Sequence, residues 1–149
     1  MDEVSQNKAI NTLRKIPVFS GLQGDEYQQL LSICTVSYFR SGDIIFQEKD
    51  PSTAMYVLLS GEAEMQTGTG GCMFVMKPGD LFGEIGVISQ AQRTATAMVS
   101  QDAALLELGK DKFDFLLGKN PLVMAKILRN VAKVLADRLV SSSNHRYIL

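Results

Sequence analysis

Histidine is almost missing from this chain: His145 is the only one, and it lies close to the carboxyl end. A Ser-His-Asp-type triad or a multi-histidine metal centre therefore has no ligands to draw on. Tryptophan is absent, and the two cysteines, Cys34 and Cys72, stand too far apart for a CxxC-type metal or redox motif. Neither sign of charge is in excess. The 15 Lys and Arg against 16 Asp and Glu leave a formal net charge of −1, so a basic face for nucleic acid is not expected. No apolar run reaches the ~18 residues that a bilayer span needs. The acidic, polar opening Met1-Asp2-Glu3-Val4-Ser5-Gln6 is unlike a signal peptide. A reduced, cytoplasmic setting without membrane or metal is the expectation.

What is present is 149 residues, 46% apolar and 21% charged, enough for one domain with a real core. Residues 5–15 read as a short helix, and a second starts at Asp25, with Tyr27, Leu30, Leu31 and Ile33 at helical spacing. From Val36 the period changes to two. Strand-like runs fall at 36–40, 44–47, 55–59, 62–67, 72–76, 95–99 and 104–108, separated by Ser41-Gly42-Asp43, Asp50-Pro51, Ser60-Gly61, Gly68-Thr69-Gly70-Gly71 and Lys77-Pro78-Gly79-Asp80. Short strands broken at near-even intervals by glycine turns predict a small antiparallel barrel or roll. Asp111 is placed to cap a helix over 112–117, and Asn120-Pro121 to open a long one over 121–140. That last helix aligns Met124, Ile127, Leu128, Val131, Val134, Leu135 and Leu139 on one face, suited to packing on the roll, to pairing with a second copy, or to both. The domain plan is thus helices over 1–35, a roll over 36–110, helices over 111–142 and a tail over 143–149.

The segment Phe82 to Val99 carries the chemistry. It sets one carboxylate, Glu84, and one guanidinium, Arg93, among apolar and small residues, with Gly83 and Gly86 around the carboxylate. Glycine lets backbone turn tightly and approach a ligand. A helical turn beginning near Glu84 would aim unsatisfied N–H groups at whatever precedes it, and these favour negative charge. Arg93 offers a planar donor fork that matches phosphate oxygens. Ionised Glu84 is acceptor-only and suits sugar hydroxyls. Thr94 adds a hydroxyl, and Ala95 is small enough to leave its N–H accessible.

Phe82-Gly83-Glu84-Ile85-Gly86, followed by Arg93-Thr94-Ala95, resembles the phosphate-binding cassette of the cyclic nucleotide-binding domain family, the β-roll of catabolite activator proteins, kinase regulatory subunits and nucleotide-gated channels. Gln92 stands where many relatives have Pro. The resemblance implies a mainly β fold: an antiparallel, jelly-roll-like β-roll (a double-stranded β-helix) with N-terminal helices and a long C-terminal helix. It implies that Glu84 holds a ribose hydroxyl, that Arg93 holds a cyclic phosphate oxygen, and that the N–H groups of Gly83, Ile85 and Ala95 complete the cradle, with Gly86 in the turn. Thr94 fits either the phosphate of cAMP or a syn guanine of cGMP. Turn glycines shared by the family fall at Gly42, Gly61 and Gly79. No helix-turn-helix, pore segment or basic pseudosubstrate stretch is legible, so the domain is expected to act through an unidentified protein effector or a homodimer over helix 121–140. It is not expected to be an enzyme, since Glu84 has no paired acid or adjacent nucleophile. A roll that binds no nucleotide and serves as a dimerising module, or a sensor separated from a larger effector protein, are the alternatives.

Overall fold

The computed structural model describes residues 2–66, 68 and 71–143. Two compact units divide the chain: the strands lie within Leu30–Phe115, and helices from both ends of the chain form the other unit.

In the strand unit, β1 (Cys34–Phe39), β2 (Ile44–Phe46), β3 (Ala54–Gln66), β4 (Cys72–Met76), β5 (Leu81–Phe82) and β6 (Thr96–Gly109) form one sheet. Every pairing is antiparallel, with β1-β6-β3-β4 in order, β2 on β6 and β5 on β3. This is the antiparallel roll with flanking helices that the alternating pattern implies. The expected strands at 55–59 and 62–67 are a single strand, β3, and those at 95–99 and 104–108 are a single strand, β6; residue 67 lies outside the described residues. The reason is local. The Ser60-Gly61 signal is absorbed by irregular register between Leu58 and Ala63 instead of breaking the strand. Gly61 has φ +86°, and a Cβ there would lie 2.2 Å from the Asp102 carbonyl oxygen of β6. Only glycine permits that approach.

The roll's core is set by alternation. Leu58, Ala63, Met76, Phe82, Ala97, Val99 and Leu105 are completely shielded, with Phe46, Ala54, Tyr56 and Ala103 around them. Three aromatic rings, Phe46, Tyr56 and Phe82, sit with centroids 5.5–6.3 Å apart. Burial pushes the Cys34 thiol up to about 12.

In the helical unit, α1 (Glu3–Arg14) is capped by Asp2, whose carboxylate accepts from the Ser5 N–H at 2.7 Å. A 3-10 turn, Pro17–Phe19, follows, and then α2 (Gly24–Ile33). Glu26 reaches back to the Gln23 N–H at 2.8 Å, one arm of a capping box. The final helix, α5 (Pro121–Ser143), is capped by Asn120, whose Oδ1 accepts from the Val123 N–H at 3.3 Å. It runs past the expected end at 140 and takes in residue 143, the first of the expected tail; 144–149 lie outside the described residues. Val123, Met124, Ile127 and Val131 are its buried stripe. Polar ties add to that stripe: Lys126 Nζ to Glu26 Oε1 at 2.7 Å, Asn120 Nδ2 to Gln29 at 2.9 Å, and Asn130 Nδ2 to the carbonyls of Val18 and Ser20 at 3.0 and 2.8 Å. The helix expected over 112–117 is longer, α4 (Lys110–Lys119), so Asp111 sits inside its first turn and not at its cap. Among the described residues no helix is long and apolar enough to cross a membrane, and no group of His, Cys, Asp or Glu is arranged to hold a metal.

Candidate functional site

The site is built on the connection between β5 and β6. Phe82 ends β5 in the core, and the chain turns at Gly83 with φ +75°. A Cβ at Gly83 would stand 2.9 Å from Arg93 Nη1 and 3.2 Å from the Phe46 ring. The turn launches a short helix, α3 (Glu84–Ser89), with Gly83 as N-cap and no side chain to cap it. Gln90 closes α3 in the left-handed region with φ 57°. From there the chain returns through Ala91 and Gln92 to Arg93 and enters β6 at Thr96.

Arg93 is the organising group. It is only 5% exposed. Nη1 donates to the Gly83 carbonyl at 2.7 Å, Nη2 donates to the Ala54 carbonyl, and the guanidinium lies 3.9 Å over the Phe46 ring. Its backbone is held as firmly: the Arg93 N–H donates to Asp50 O and the Lys49 N–H donates to Arg93 O, both at 2.8 Å. Burial draws the guanidinium's pKa down, while Tyr56, Asp50 and Glu84 oppose the shift. The group remains charged at any physiological pH. Two of its five N–H donors go to these carbonyls. The buried Nε has no hydrogen-bond partner among the described residues, although an unmet buried donor is costly.

The structure brings several of the expected residues together. Glu84 is buried at 2% exposure, and its charge acts on Arg93. Gly83 touches Arg93 directly. Gly86 and Ala95 are buried, while Thr94 is exposed and the Ile85 side chain points to solvent at 56% exposure. The sequence reading missed the partners from outside the segment. Phe46 under the guanidinium and the carbonyls of Asp50 and Ala54 all come from residues 46–54. Asp50-Pro51 had marked that stretch only as a turn. A guanidinium is chemically suited to an anionic group, and a carboxylate to hydroxyl donors.

The model of the cyclic nucleotide-binding domain matches residues 36–120. The chain belongs to the cyclic nucleotide-binding domain family. It is 31% identical over 128 residues to glutaminase 1 of Bradyrhizobium diazoefficiens, covering 86% of this chain and 21% of the glutaminase. It is 32% identical over 127 residues to the cyclic AMP receptor protein of Thermus thermophilus, covering 83% of this chain and 57% of the receptor. The chain thus spans only part of the length of these curated relatives. A crystal structure of a cyclic nucleotide-binding domain from Methylobacillus flagellatus superposes with a TM-score of 0.83 at 20% identity, covering 96% of this chain and 83% of that one. At that identity the likeness concerns the fold.

Proposed function

We propose that this cyclic nucleotide-binding domain is a sensor that binds cAMP or cGMP through residues 83–95 and relays occupancy through its C-terminal helix, without catalysis of its own. The observation that carries the reading is Arg93: a buried guanidinium with an unpartnered Nε, held beside a buried Glu84 and the Gly83 turn. An anionic phosphate oxygen satisfies that donor set, and a ribose hydroxyl suits the acceptor-only carboxylate. Arg93 would take the phosphate, Glu84 the ribose, and the N–H groups of Gly83, Ile85 and Ala95 the remaining phosphate oxygens. Gly86 lets α3 come close, and Thr94, which is exposed, would distinguish the bases. One relative is by name a cyclic AMP receptor, which favours cAMP.

Relay is a population shift: ligand favours the arrangement in which the segment is ordered around it, and α4 and α5 follow. The recipient of the signal is a second copy of the chain or an unidentified protein effector. Calorimetric titration with cAMP and with cGMP tests the reading. Saturable binding to the wild type is expected, with Arg93→Ala losing on the order of 2–5 kcal/mol, as when one partner of a buried charged contact is removed. Unchanged affinity in that variant would refute the phosphate site, and flat titrations with both nucleotides would leave the roll as an interaction module.

A further inference from the structure

Two buried polar side-chain atoms lack a hydrogen-bond partner among the described residues, and both border the same segment: Arg93 Nε and Ser52 Oγ. Ser52 belongs to the loop between β2 and β3. Across from it lies α3, and the fit is so close that a Cβ on Gly86 would fall 1.9 Å from Ser52 Oγ and 2.7 Å from Ser52 Cβ. The glycine is thus required by Ser52. The loop is also fastened to Arg93 on either side of Ser52, at the carbonyl of Asp50 by the Arg93 N–H and at the carbonyl of Ala54 by Nη2. Ser52 is therefore the midpoint of a short bridge whose two ends touch the arginine and whose middle touches α3.

We propose that Ser52 is a positioning residue of the nucleotide site, its hydroxyl gaining a hydrogen bond when Arg93 and α3 rearrange around bound cyclic nucleotide. The inference rests on the sensor reading above. An alkyl residue would fill the same space without stranding a polar atom, and a buried hydroxyl with no partner costs stability. The cost falls on one arrangement only if another satisfies the group. When Arg93 turns donors toward a phosphate, the carbonyl of Ala54 is released. The loop can then shift against Gly86, where contact transmits the movement directly because neither side has slack.

The test is Ser52→Ala in the full chain, with thermal unfolding in the absence of nucleotide and calorimetric affinity for cAMP and cGMP, alongside wild type and Arg93→Ala. Ser52→Ala is expected to raise the melting temperature by about 2–6 °C, the size of relieving one unmet buried hydroxyl. It is also expected to weaken nucleotide affinity about three- to tenfold, the size of one hydrogen bond. These opposite signs distinguish positioning from plain packing, which would lower both. A lower melting temperature would show that the hydroxyl already has a partner and would overturn the proposal, as would unchanged affinity in a protein whose Arg93→Ala variant has lost binding. Failure of the wild type to bind either nucleotide would overturn the sensor reading and the role of Ser52 with it.

Discussion

A single missing methyl group decides the geometry of the binding segment. Gly86 lies against Ser52 with no room for a Cβ, so Gly86→Ala must push α3 or the 50–54 loop away. We expect that variant to lose about 1–3 kcal/mol of stability in urea titrations, the usual cost of overpacking a tight contact. Most of the loss should vanish in the Ser52→Gly background, because the clash needs both partners. Equal losses in both backgrounds would place the strain elsewhere. Arg93 and Glu84 were legible because charged residues inside an apolar run are rare and sit at a fixed spacing. Ser52 was not legible, since a serine after Asp50-Pro51 reads as any turn residue, and its importance comes from a residue far along the chain.

Elements follow the same division between local and distant causes. The change of period at Val36 and the Asn120 cap are written in neighbouring residues, and the structure has both. The junctions inside β3 and β6 could not be read correctly, because whether Ser60-Gly61 ends a strand or only bends it depends on the backbone of Asp102 packed against it. The polar ties of α5 were equally invisible, being pairs such as Glu26 with Lys126 that are distant in sequence. That pair has a pH signature. The Lys126 ammonium first, then the Gln23 N–H, hold the Glu26 carboxyl below its ordinary value. A carboxyl depressed in the fold contributes stability above its unfolded value and loses it as pH falls through the folded one. Unfolding measured from neutrality down to about pH 3 should show that acid loss in the wild type. Lys126→Met should be less stable at neutral pH, with a shallower acid dependence. An identical slope in both proteins would mean the pair is not the titrating element.

At the scale of the whole molecule, burial along α5 is uneven. Val123, Met124, Ile127 and Val131 are covered, whereas Val134 and Leu135 are only partly so. Among the described residues, the apolar stripe is thus less covered beyond Val131, on the face that a homodimer over this helix would use. Light scattering during size exclusion should report a dimer for the wild type and a monomer for Leu135→Lys, with nucleotide affinity retained. A monomeric wild type would direct the search to a different effector. The pairing of the sheet has a separate implication for how the chain acquires its structure. β6 begins only at Thr96, yet it supplies the partner for β1, β2 and β3. On a ribosome, the strands made first would therefore have no complete template until residue 109 had emerged. Pairings this remote in sequence form slowly, and β1, with Val36 and Tyr38 outward, is the stretch a nascent chain would expose longest to chaperones or to its own neighbours.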